Sequence, residues 1–158
     1  LHPFEEPCIS FDKGSGTIFF CGCNLRCRFC QNYEVSRAKR GKEITPLELA
    51  DIFKELEDMG AENVSLVTPS HLTAYLLRAF EIYKPKIPVV YNTGSYEKVE
   101  TLALIDEFVD IYLPDFKYSN NILAKKLSKA PKILPDPAII SNLSRCISCL
   151  RCFSRKAA

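Results

Sequence analysis

The sequence predicts an α/β fold, with short strands and the helices between them forming βα units on one mainly parallel sheet. Short apolar runs alternate with stretches of helical periodicity between residues 17 and 117. The units recur every ~20–45 residues, long enough for a strand–helix–strand crossover. A chain of 158 residues that is 47% hydrophobic and 25% charged suits one globular domain with a real core.

The first strand is expected at Thr17–Phe20, introduced by the turn residues Gly14, Ser15 and Gly16. A helix then opens with Thr45 as cap, Pro46 in its first position and Glu48 completing a capping box. Leu49, Ile52, Phe53 and Leu56 give it one apolar face, and Gly60 suits its end. Val64–Val67 reads as a buried strand, followed by the loop Thr68-Pro69-Ser70-His71. A second helix spans about 72–83, with Leu72, Leu76, Ala79, Phe80 and Tyr83 at helical spacing. Val89–Tyr91 is the third strand. A third helix covers about 96–108, turning Val99, Leu102, Ile105 and Phe108 or Val109 inward. Ile111–Leu113 is the fourth strand and runs into Pro114-Asp115-Phe116-Lys117. Residues 121–129 suit a fourth helix; Pro131, Pro135 and Pro137 then interrupt the chain. Domain limits follow at 1–130, with 131–158 expected as a loosely packed, cysteine-rich tail.

Composition removes several function classes. A net charge of +2 without a dense Lys/Arg block gives no nucleic-acid footprint. Arg37, Lys39, Arg40 and Lys42 read as a solvated loop. No apolar run approaches the ~20 residues of a membrane span, and no charged start precedes an apolar stretch. The expectation is a soluble, unexported, cytoplasmic protein. Eight cysteines in such a chain argue for metal or redox chemistry rather than a disulfide scaffold.

Four of them, Cys21, Cys23, Cys27 and Cys30, fall within ten positions. Cys23, Cys27 and Cys30 have the spacing C-x3-C-x2-C directly after the first strand. Thiolates ligate both zinc and iron–sulfur clusters. Zinc would need Cys21 or Cys8 as a fourth ligand, and zinc sites usually present cysteines as separated pairs. A tight triplet can instead occupy three irons of a four-iron cluster and leave the fourth open to a substrate. Cys8 and Cys21 otherwise read as buried thiols.

Cys-x3-Cys-x-aromatic-Cys at the end of a first strand resembles the signature of the radical S-adenosylmethionine (SAM) superfamily. The string TIFFCGCNLRCRFCQNY (Thr17–Tyr33) resembles its pyruvate formate-lyase activating enzyme branch. EEPCIS, ITPLELA, LVTPSH, VVYNTGSYEKVETL and DIYLPDFKYS are similar to a group of uncharacterised iron–sulfur proteins linked to that branch. The likeness runs from Glu5 to Tyr118, about seventy per cent of the chain. It implies a partial (β/α) barrel, here with about four of the usual six or so βα units. It also implies a [4Fe–4S] cluster on Cys23, Cys27 and Cys30 whose open iron chelates SAM and cleaves it reductively to a 5′-deoxyadenosyl radical. By the same likeness Phe29 lies near the adenine, with core packing as its alternative. Asn92 stands where activating enzymes place a polar residue. Asp115 and Lys117 match a DLK-like motif, and Lys117 could reach the SAM carboxylate.

The chain departs from the pattern in places. The Gly-Gly-Glu-like segment after the second strand is replaced by Thr68-Pro69-Ser70-His71, leaving His71 as a local polar contact, a proton donor or a solvent-facing side chain. Asn92-Thr93-Gly94-Ser95 stands where the group reads Asn-Thr-Ser-Gly. A second triplet, Cys146, Cys149 and Cys152, resembles a ferredoxin run without its fourth cysteine, and also a segment that the group carries before its SAM domain. A second metal site and a thiol-bearing tail are both open there. The leading expectation is a radical SAM enzyme, including an activase that installs a glycyl radical on a partner protein. Its electron donor would be a flavodoxin or ferredoxin. The competing expectation is a non-catalytic iron–sulfur or zinc-binding module, or an incomplete fragment of such an enzyme.

Overall fold

The computed structural model describes residues 1–3, 9–10, 12–37 and 40–131. Four strands form one sheet: β1 (Gly16–Phe19), β2 (Val64–Val67), β3 (Val89–Thr93) and β4 (Ile111–Pro114). Their spatial order is β1-β2-β3-β4 and every neighbouring pair is parallel. Each connection carries a helix: α2 (Pro46–Asp58), α3 (Thr73–Ile82) and α4 (Val99–Ile105). Two further helices complete the set, α1 (Tyr33–Arg37) between β1 and α2 and α5 (Asn121–Ser128) after β4. This is the expected α/β set of βα units.

One face of the sheet is buried under α2, α3 and α4, while the other stays partly open, with Phe19 43% exposed. On one face Ile18, Val64, Leu66, Val89, Tyr91 and Tyr112 pack with Leu49 and Phe53 of α2, Leu76, Ala79 and Phe80 of α3, and Leu102 and Ile105 of α4. Phe80 stacks between Phe53 and Phe108, with ring centroids 5.1 and 5.0 Å away. Each such buried side chain contributes about 1.5–3 kcal/mol. Period-two alternation turns the remaining strand residues to the opposite face. There the register aligns Phe19, Val67, Asn92 and Leu113 in one row across the C-terminal end of the sheet.

The capping box of α2 is present as the sequence requires: Thr45 accepts from the Glu48 N–H, and Glu48 accepts from the Thr45 N–H. Other boundaries moved. The second helix begins at Thr73 behind a single 3-10 turn at Ser70–Leu72. The third begins at Val99 rather than near Tyr96 and ends in a 3-10 turn, Asp106–Phe108. Arg37 is not part of a solvated loop. It ends α1, half-buried, with Nη2 donating to the Cys27 carbonyl at 3.3 Å and its guanidinium 5.7 Å from the Tyr33 ring centre. Cys8, Lys39, most of the proposed tail and the triplet Cys146, Cys149 and Cys152 lie outside the described residues.

Candidate functional site

In a parallel sheet every strand ends at the same edge, so the loops after β1 to β4 collect there. The loop after β1 carries the cysteines, and each of the other three loops holds it in place. His71, after β2, meets the Cys21 carbonyl through Nε2 at 2.8 Å; a carbonyl only accepts, so Nε2 carries the hydrogen. Gly22 sits beneath that ring with φ +89°, and a Cβ there would fall 3.1 Å from His71 Nε2. After β3, the Tyr96 carbonyl accepts from Asn24 Nδ2 at 2.8 Å. After β4, the Tyr118 ring lies 6.0 Å from Phe29.

A second small core sits under this loop. Leu25 and Cys27 are buried with Tyr118, Ala124 and Ala130, and Cys23, Cys30, Tyr96 and Leu127 pack against them. The loop is also bonded to α5 through backbone. Arg26 N–H donates to the Ser128 carbonyl and Arg28 N–H to the Leu127 carbonyl, both at 3.0 Å. These carbonyls end the helix and would otherwise lack partners. Tyr118 Oη and Ser128 Oγ close the arrangement with a hydrogen bond.

Cys23, Cys27 and Cys30 thus share one packed cluster. Burial pushes the Cys23 thiol above its ordinary value of 9.0, the Leu25 N–H opposes that at 3.4 Å, and negative charge on Cys27 or Cys30 pushes it up further. The positive charge of Lys117 acts the other way. Cys23 donates to Asn24 Oδ1 at 3.7 Å, and Cys30 is hydrogen-bonded to Ser36 Oγ at 3.4 Å. Among the described residues no three or more His, Cys, Asp or Glu side chains are drawn together as metal ligation demands. Ligation would exchange those two weak bonds for metal bonds. Three cysteines packed on one small core, with the Leu25 N–H aimed at one sulfur, supply the donor chemistry of a thiolate-ligated cluster.

The other sequence candidates fall at the same edge. Lys117 is ion-paired with Asp115, and its Cε lies 3.6 Å from the position of a Cβ on Gly94. Asn92 is half-buried in the row with Phe19, Val67 and Leu113. Phe29 is 55% exposed, which rules out the core-packing alternative. Cys21 is half-buried rather than buried; its thiol donates to the Arg40 carbonyl at 3.3 Å. His71 is exposed.

Sequence reasoning passed over Glu97. Its Oε1 accepts from both Ser70 and Thr93, tying the loop after β2 to the loop after β3. Tyr91 is fully buried beside it, and burial together with the nearby Glu97 charge pushes its phenol up to about 12. The hydroxyls of Ser70 and Thr73 oppose that rise, although no hydrogen bond to the Tyr91 oxygen closes. The step of four positions from Thr93 to the acid at Glu97 was the available signal.

The family described as Radical SAM superfamily matches residues 17–136, which includes all of the sheet but Gly16 and the whole cysteine loop. The chain belongs to the radical SAM superfamily. This radical SAM chain is also 41% identical over 140 residues to the uncharacterized protein MJ0674 of Methanocaldococcus jannaschii, covering 82% of the chain. It spans 40% of the length of that relative. No helix among the described residues is long and apolar enough to cross a membrane.

Proposed function

We propose that Cys23, Cys27 and Cys30 hold a [4Fe–4S] cluster that binds SAM at this edge, and that the whole protein is a radical SAM enzyme acting on a partner protein. The observation that carries the reading is the position of the triplet directly after β1 of a parallel sheet, packed against Tyr118 from the loop that bears Lys117. When bound, the cluster supplies the electron that splits SAM into methionine and a 5′-deoxyadenosyl radical.

The residues of the chain do the rest. Lys117 offers a cation to the SAM carboxylate, and Asp115 positions Lys117 through their ion pair. Asn92 contributes an amide donor and acceptor on the face that turns away from the helices. Phe29 presents an exposed ring to the adenine, steadied by Tyr118. Leu25, Tyr118 and Ala124 exclude water from beneath the triplet, which strengthens each charge interaction above it. Phe116 and Ile122, 69% and 80% exposed on the loop after β4 and on α5, give an apolar rim that supports a protein substrate, as a glycyl-radical activase requires.

Anaerobic reconstitution tests the reading. Iron and sulfide in equal amounts, with methionine and 5′-deoxyadenosine formed from SAM under dithionite, is the expected result. Zinc without sulfide would leave a zinc-binding module, and iron without SAM cleavage would leave a non-catalytic iron–sulfur fragment.

A further inference from the structure

The cysteine loop, α1 and the end of α5 border a concavity of about 480 Å³. Cys27 forms part of its wall, and Arg26, Arg28, Arg37, Lys126 and Lys129 line it. No acidic residue lines it, and among the described residues none of the five cations meets a carboxylate at ion-pair distance. Arg37 Nε is buried there without a partner. Five like charges around one hollow repel each other, so the arrangement favours an anionic occupant.

The C-terminus of α5 does not account for them. Four of its last five carbonyls are taken by backbone: Ala130 N–H on Ala124, Lys129 N–H on Lys125, Arg28 N–H on Leu127 and Arg26 N–H on Ser128. The side chains of Arg26, Arg28, Lys126 and Lys129 are therefore left over. None of the residues proposed for SAM borders the hollow, so an occupant here does not compete with SAM.

We infer that this cationic face is the docking surface for an acidic one-electron carrier protein. The inference rests on the proposed radical chemistry, which needs one electron from outside the chain. Of the three proposed ligand cysteines, Cys27 alone borders the hollow, so a carrier seated there is next to the triplet. A small, charged, weakly apolar patch is what transient redox encounters use, with rapid association steered by opposite charge. In the transfer the carrier is oxidised by one electron and the centre on the triplet is reduced by one. No bond is made or broken at this face.

The probe is an acidic flavodoxin titrated into the reconstituted chain at low and high salt. The expected result is binding that weakens at least about tenfold between the two conditions, because screening removes the steering. Arg28→Glu with Lys126→Glu should weaken low-salt binding by about tenfold or more and flatten the salt dependence. Iron content and dithionite-driven SAM cleavage should stay as in the unaltered protein; the milder pair Arg28→Gln and Lys126→Gln should fall between. Unchanged flavodoxin affinity in both variants overturns the inference. So does saturation of the face by pyrophosphate or a short DNA duplex in a protein that ignores flavodoxin. Failure of the unaltered protein to cleave SAM with dithionite sinks the radical reading instead, and flavodoxin binding is read apart from it.

Discussion

Gly94 and Leu25 meet so closely that a Cβ at position 94 would fall 2.8 Å from Leu25 Cδ1, and the leucine would have to shift. Leu25 is buried between Cys23 and Cys27, so the loop after β3 is a mould for the cysteine loop. Gly94→Ala is therefore expected to push Leu25 out and cost about 1–3 kcal/mol, the usual range for overpacking. Reconstituted iron should drop with it. Thermal unfolding and iron assay check this together; a stable variant with full iron would show that Leu25 moves freely.

The neighbouring position behaves oppositely. Ser95 has φ +56°, in the left-handed region that favours glycine, and its N–H donates to Thr93 Oγ1 at 3.0 Å. Ser95→Gly should stabilise the fold by roughly 1 kcal/mol, since the strain outweighs glycine's extra freedom in the unfolded chain. The order Gly94-Ser95 thus serves contact first and backbone comfort second. Denaturant unfolding at unchanged slope measures the gain, and a loss of stability would mean that the serine hydroxyl matters more.

Lys117 is the cation that opposes the rise of the Cys23 thiol. Removing it leaves burial less opposed, so Lys117→Ala should move the pH profile of Cys23 alkylation by iodoacetamide to higher pH in protein without metal. SAM binding should weaken by about 1.5–3 kcal/mol, the range for a hydrogen bond to a charged group, with iron content intact. Peptide mass spectrometry across a pH series reads the first effect. An unmoved profile would place the lysine elsewhere in solution.

What the sequence makes legible is side-chain periodicity and spacing, and what it hides is carried by backbone. Val64–Val67 and the Thr45 cap are written in residue types, and β2 and α2 form where those types require. The triplet is legible from its spacing alone. Tyr33–Arg37 is too short to show a period, so Arg37 reads as solvent-facing although it binds Cys27. The delayed start of α4 has a physical cause: Tyr96 and Glu97 are engaged by Asn24, Ser70 and Thr93 before the helix begins. The seat of the cysteine loop on α5 is invisible because Arg26 and Arg28 use their backbone N–H groups, which any residue would supply.

Tyr91 gives the fold an alkaline limit. Its phenol is pushed from 10.0 up to about 12, chiefly by burial. Below pH 10 both folded and unfolded chains keep it neutral, and its contribution is fully present. Above that, the unfolded chain ionises first and stability falls as pH rises toward 12, by on the order of 2–3 kcal/mol. Tyr91→Phe should remove this part of the alkaline loss, which urea unfolding between pH 9 and 11 would reveal. Parallel curves for both proteins would contradict the assignment.

The cysteine loop depends on α5, and truncation can show it. Leu127 and Ser128 accept its backbone N–H groups, Ala124 and Ala130 are buried beneath it, and Tyr118 is anchored by Ser128. A chain ending after Pro131 keeps all of these and should take up as much iron as the full chain. A chain ending after Ser119 loses them, exposing Leu25, Cys27 and Tyr118 to water. Each lost apolar side-chain contact costs roughly 1.5–3 kcal/mol where burial was complete, enough to unseat a loop that β1 holds at only one end. Its iron should fall sharply while the α2–α3 side of the sheet, with its separate core, retains far-ultraviolet circular dichroism. Equal iron in both truncations would mean that the loops after β2, β3 and β4 suffice to hold the triplet; loss of iron in the longer one would make the region beyond Pro131 a source of ligands.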